Sequence, residues 1–301
     1  MSNYAIILLR FAVFNLNKIN TAFFLVGGSM FEHDLQLGNY NCIFIKETDY
    51  ERIKTLIKKN LIGLCWGKEN TECFDIKDVI NEFMERFSKK SIEQQYGYIG
   101  EFIYYLYILQ NDKILKPLSI FFNQEERSFK KGFDLLGFDG ENMWYSEVKS
   151  GNSSGKDIDS YNLERLSTAY NDIKDKLKIR NRNTNYWDTA KSNLCKIENS
   201  KDERSRLSKI LDDDKKIEFI KNKIITSVIF DKSDLLLDNN KVKDKYDRLK
   251  CLEKNITIIC IRKKTIEKVI SILKEVQKEN EWLLFNKTPK WFEKIFFLWY
   301  I

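Results

Sequence analysis

Residues 131–149 read Lys-Gly-Phe-Asp-Leu-Leu-Gly-Phe-Asp-Gly-Glu-Asn-Met-Trp-Tyr-Ser-Glu-Val-Lys, and the fold turns on how this stretch pairs with itself. Phe133 to Phe138 and Met143 to Lys149 are apolar-rich runs of strand length, separated by a segment containing Asp139-Gly140, a dipeptide favoured in tight turns. They predict a β-hairpin. Side chains at i and i+2 of a strand share a face, so Glu147 and Lys149 point the same way. Where Asp134 points depends on register. A turn at 139–140 sets residue 134 opposite 145, and a turn at 139–142 sets it opposite 147. Either brings Asp134 to the face of Glu147 and Lys149, whereas a slip of one residue turns it away.

Working outward, Ser91 is placed as the N-cap of a helix running to about Leu109, with apolar residues at 99, 102, 103, 106 and 109. Pro117 to Phe122 reads as a short strand. After the hairpin, the polar loop Ser150 to Gly155 leads into a helix from about Asp159 to Lys178, and residues 180–222 read as charged helices and loops. Ile224 to Phe230 and Ile256 to Ile261 have the apolar, β-branched character of buried strands. From Ser91 onward the order is helix, three strands, helix, strand. Residues 1–90 mix strand-like runs (Tyr4 to Phe14, Cys42 to Lys46) with helical periods (Tyr50 to Lys59, Ile76 to Phe87). They are expected to form an α+β accessory, partner-contact region ahead of a domain at 91–301 with a helical insertion at about 180–222.

Composition narrows the chemistry. The 301 residues include 51 Lys and Arg, 44 Asp and Glu and a single histidine, His33. With 43% hydrophobic residues the chain buries enough apolar surface to fold. One imidazole leaves no room for a His-based zinc site or a Ser-His-Asp triad. The six cysteines are scattered without a Cys-x-x-Cys pair, which suits free thiols in a cytoplasmic protein. No apolar run reaches the ~18 to 20 residues that span a bilayer. The aromatic C-terminal segment from Trp291 to Tyr300 is expected to dock as a helix.

Catalysis must therefore run on carboxylates, lysines and hydroxyls. Two acids and a lysine on one sheet face are poor core material, because burying them unpaired costs several kcal/mol each, of order 5. Mg2+ resolves the conflict, taking one or two carboxylates plus waters and a substrate phosphate, with Mn2+ as a substitute. Lys149 beside the metal would orient or help deprotonate an attacking water. Glu101, next to Gly100 and four residues after Gly97, is a candidate third acid from the helix, since small residues let a helix approach a sheet. An isolated Glu-x-Lys tripeptide marks a surface ion pair more often than a site. Here the weight rests on its conjunction with Asp134, Glu101 and the order of elements. Lys130 and Lys131 beside the site, and Lys174, Lys178, Arg180 and Arg182 in a basic stretch, are candidates for phosphate contact.

On Gly100-Glu101, Lys131 to Asp134 and Trp144 to Lys149, the chain resembles the PD-(D/E)xK nuclease superfamily and, more narrowly, the HamA family of the Hachiman anti-phage defence system. Phe133 stands where the superfamily name has proline. The resemblance implies an α/β (α+β) fold with a restriction-endonuclease-like core, a central mixed sheet flanked by helices. It implies that Asp134, Glu147 and Glu101 bind metal together with the Val148 carbonyl, and that Lys149 is the catalytic lysine. It also implies DNA degradation with little sequence preference and a partner helicase resembling HamB; no membrane association and no nucleotide cofactor of its own are expected. The alternatives are a non-catalytic subunit that regulates a helicase, and a structure-specific resolvase or restriction-like enzyme.

Overall fold

The computed structural model describes residues 34–122, 132–178, 185–198, 200–217 and 221–287. Outside them lie the run Tyr4 to Phe14, His33, the aromatic C-terminal segment, and Lys130, Lys131, Arg180 and Arg182.

Six strands make one mixed sheet: β1 (Tyr40–Ile45), β2 (Lys116–Pro117), β3 (Leu135–Phe138), β4 (Met143–Asn152), β5 (Asn222–Phe230) and β6 (Ile256–Lys263). Their order across the sheet is β1-β6-β5-β4-β3-β2. From β1 to β4 neighbouring strands are parallel, and the β4-β3-β2 side is antiparallel. β5 and β6 are buried at every position, as expected of parallel strands covered on both faces.

Helices α1 (Tyr50–Trp66), α2 (Ile76–Ser88), α3 (Ile92–Gln110) and α8 (Glu267–Lys287) share one core with the Trp144 and Val148 face of β4. Helices α4 (Ile158–Lys176), α5 (Asn185–Ile197), α6 (Lys201–Lys216) and α7 (Asn239–Leu252) share the other core with the Met143 and Tyr145 face. The expected α+β fold, a mixed sheet flanked by helices, is what the chain adopts. The order read from Ser91 onward also holds, with α5 and α6 inserted between α4 and β5.

Local chemistry sets these elements. Ser91 caps α3 through a reciprocal box: its hydroxyl accepts from the Gln94 N–H, and the Gln94 side chain accepts from the Ser91 N–H. In the hairpin Phe138 pairs with Met143, so the turn is the four residues 139–142. The Asp139 carboxylate selects that length. Its Oδ1 accepts from the N–H groups of Glu141 and Asn142 at 2.9 and 2.7 Å, and its Oδ2 accepts from Trp144 Nε1 at 2.8 Å.

One expected strand is shorter in the structure than its sequence suggests. The strand expected over 117–122 ends at Pro117: Leu118 N–H still donates to the Leu136 carbonyl of β3, but the Leu136 N–H goes to the Ser119 hydroxyl, and Phe121 and Phe122 donate to the Leu64 and Cys65 carbonyls of α1. The described part of the region before residue 90 contributes to the main sheet and core. β1 pairs with β6, and α1 and α2 bury Ile57, Leu61, Ile80 and Phe83 in the core that also holds α3. Helices α7 and α8 were not read from the sequence at all. Among the described residues no helix is long and apolar enough to cross a membrane.

The approach of α3 to β4 depends on Gly100, where an added Cβ would lie 1.9 Å from Ser150 Oγ and 2.5 Å from Ser150 Cβ. At Gly97 an added Cβ meets nothing within 4 Å among the described residues. Gly100→Ala should therefore destabilise the fold by about 1–3 kcal/mol, whereas Gly97→Ala should stabilise it by roughly 0.5–1 kcal/mol through better helix propensity. Urea denaturation of both variants checks the contrast. Equal effects would refute the close packing of α3 on β4.

Candidate active site

Alternation along β4 divides its side chains between the two cores. Trp144 and Val148 pack toward α3, and the Ser146 hydroxyl lies 2.7 Å from that of Tyr104 on the same helix. Glu147 and Lys149 project to the opposite face, under α4. Asp134 sits just before β3, its N–H donating to the Ser146 carbonyl at 3.2 Å. Its Oδ2 accepts from the Val148 N–H at 2.7 Å. A strand residue directs its N–H and C=O toward the same edge. The Val148 carbonyl therefore projects to the side of Asp134, past the Leu135–Ser146 pair where the β3–β4 ladder ends.

Two side chains one helical turn apart on α4, Asp172 and Lys176, close the site. Lys176 Nζ donates to Glu147 Oε2 at 2.5 Å and to the Gly132 carbonyl at 2.9 Å, and lies 3.9 Å from Asp134 Oδ1. Lys149 Nζ bridges Glu147 Oε1 at 2.9 Å and Asp172 Oδ2 at 2.7 Å. Each oxygen of Glu147 is thus held by a different ammonium. Such pairing is what a carboxylate that is only 2% exposed requires.

Burial, helped by the charge of Asp134, pushes the Glu147 carboxyl up to about 7, against the pull of Lys176 and Lys149. Burial also works to lower both lysines. The carboxylates outweigh it: Glu147, Asp172 and Asp134 hold Lys149 well above the ordinary lysine value, and Asp134 and Glu147 raise Lys176. Both amines are therefore ammonium ions at neutral pH.

Asp134, Glu147 and Lys149 lie together, as the hairpin register predicts. Glu101 belongs to α3, whose core packing is on the opposite face of the sheet through Gly100 and Ser150, and both Glu101 and Asp134 lie within electrostatic reach of Tyr105 on that helix. Among the described residues no three His, Cys, Asp or Glu side chains are gathered as a metal-binding group. Of the candidate phosphate contacts within the described residues, Lys178 pairs with Asp175 at 2.9 Å and Lys174 lies over the Tyr170 ring at 5.5 Å, each engaged on its own helix or just beyond its end. Asp172 and Lys176 were not singled out from the sequence. Their signal was the i, i+4 spacing on the helix that follows the Glu-x-Lys strand.

The donor set suits a hard divalent cation: two carboxylates and a backbone carbonyl, all oxygen, in a place where positive charge is already required. Asp134, Glu147 and the Val148 carbonyl are the residues that would hold it.

The family model HamA matches residues 29–276, which covers the whole sheet and every residue of this cluster. The chain belongs to the HamA family. Membership makes it a Hachiman defence protein. No curated protein and no solved structure matches the chain.

Titration of Glu147 should be visible in the stability of this HamA-family protein. The carboxyl binds its proton more tightly in the folded state, at about 7 against an ordinary 4.5. Its stabilising contribution is therefore complete below the lower value and lost as pH rises through the upper one. In chelator, the melting temperature of wild type relative to Glu147→Gln should fall as the pH is raised from about 4.5 to about 7. A difference that grows over that window would show that the carboxyl is not raised.

Proposed function

We propose that this HamA-family chain is a Mg2+-dependent deoxyribonuclease, the effector of a Hachiman-type complex, acting in the cytoplasm on DNA under the control of a partner helicase resembling HamB. The observation that supports this most is the juxtaposition of Asp134, Glu147 and Lys149 at one shielded place on one sheet face. A divalent ion held by Asp134, Glu147 and the Val148 carbonyl would neutralise the scissile phosphate and acidify a water, with Mn2+ as a substitute.

The chain's own groups divide the remaining work. Lys149 is an ammonium tied to Glu147 and Asp172, so it does not accept a proton from water near neutrality. Its part is to donate hydrogen bonds to the phosphate and stabilise the charge that develops there. Asp172 is a positioning residue that fixes the direction of Lys149. Hydrolysis adds the water oxygen to phosphorus as the bond to the leaving sugar oxygen breaks, the water's proton passing to solvent and the leaving oxygen taking one up from solvent. Such chemistry addresses the backbone rather than the bases, which fits cleavage with little sequence preference.

One observation favours a second reading. Both oxygens of Glu147 are already ion-paired, as they would be in a vestigial site kept for structure in a subunit that regulates a helicase without cutting. Plasmid cleavage with Mg2+ or Mn2+, with and without the partner, separates the two. Asp134→Ala, Glu147→Ala and Lys149→Ala should each lower the rate by about 10²- to 10⁴-fold, and Glu101→Ala by less. Absence of cutting by wild type under every condition would leave the regulatory subunit. Cleavage confined to branched substrates would instead mark a structure-specific resolvase.

A further inference from the structure

Lys149 supplies the amine that the proposed hydrolysis calls for, yet a second ammonium lies deeper in the site. Lys176 Nζ is surrounded by three oxygens: Glu147 Oε2 at 2.5 Å, the Gly132 carbonyl at 2.9 Å and Asp134 Oδ1 at 3.9 Å. Two of these belong to the carboxylates that would bind a metal. An ammonium and a divalent cation seek the same oxygen environment, and two cations cannot share it at this range without severe repulsion. Charge balance agrees. Three carboxyl groups (Asp134, Glu147, Asp172) face two ammoniums (Lys149, Lys176), so with all three ionised the cluster carries one negative charge. Lys176 is also mounted to move. It is the last residue of α4, on a long unbranched side chain that reaches back over the sheet.

We infer that Lys176 is the resident counter-ion of the metal pocket, and that its contact with Glu147 and Asp134 excludes a bound divalent ion. The inference rests on the nuclease reading and adds a regulatory element to it. In the metal-free protein Lys176 neutralises the pair of acids, keeps α4 seated on β4 and holds the site closed. Metal enters as Lys176 leaves, freeing an ammonium beside the site for a substrate phosphate. Displacing a buried, charge-assisted pair should weaken metal binding by roughly 10- to 100-fold relative to a site without the lysine.

Calorimetric titration of the full-length chain with Mn2+ tests this. Lys176→Gln should bind Mn2+ roughly 10- to 100-fold more tightly than wild type, and Lys176→Arg, which keeps the charge, should remain weak. In chelator, Lys176→Gln should melt below wild type and recover more on addition of Mn2+. Lys176→Met, which keeps the length of the stem, replaces the glutamine variant should that variant fail to fold. Equal or weaker Mn2+ affinity in the neutral variants, with wild type binding measurably and Asp134→Asn not, would overturn the counter-ion role and leave the nuclease reading standing. No Mn2+ binding by any variant, wild type included, would overturn both.

Discussion

A carboxyl taken out of water must find a cation or keep a proton, and the central site of this protein is arranged around that constraint. Glu147 is almost wholly buried on β4 and takes one ammonium from its own strand and another from α4. The strand and helix are successive elements of a crossover, with α4 leaving β4 and returning the chain toward β5. The ion pairs therefore do two things at once: they make burial of the acid tolerable and fix the helix on the sheet. The apolar contacts of Leu166, Ala169 and Ile173 with Ile225 and Ile229 supply the bulk of the attraction between these layers. The charges supply its orientation.

The other face is organised by shape rather than charge. Gly100 lets α3 approach Ser150 closely, and the aromatic cluster of Phe83, Phe102, Phe121 and Phe122 fills the space beyond, with ring centroids 5.2–6.2 Å apart. Arg86 is almost fully buried here, its guanidinium over the Phe122 ring at 4.3 Å and bonded to Glu82. β4 is thus clamped between a helix that fits by contour and a helix that fits by polarity. Its residues alternate accordingly, Ser146 and Val148 toward the first and Glu147 and Lys149 toward the second.

Much of this was legible in the sequence because it is local. Ser91 and Gln94 announce a helix start, and the alternation of Met143 to Lys149 fixes which residues share a face. The hairpin turn was narrowed to two lengths, and Asp139 decided between them through hydrogen bonds that a turn dipeptide does not reveal. What the sequence did not disclose is non-local. That β1 belongs to the main sheet depends on pairing between residues some 220 positions apart, such as Tyr40 and Ile258. That α3, which carries Glu101, packs on the face opposite Glu147 depends on contacts distant in sequence. That Asp172 and Lys176 join the site depends on how α4 is rotated, and in the sequence Lys176 looks like any other lysine of a basic stretch.

The sheet order has a temporal consequence. β1 is the first described strand to be synthesised, and within the sheet it touches only β6, the last. During translation the segment Tyr40–Ile45 must wait, with its edge unsatisfied, until residues 256–263 have left the ribosome. The β3–β4 hairpin, by contrast, closes over a dozen residues and forms early. A nascent chain therefore acquires its acidic residues long before it acquires a finished scaffold, and the last of the described strands to be made is the one that ties β1 to the rest of the sheet.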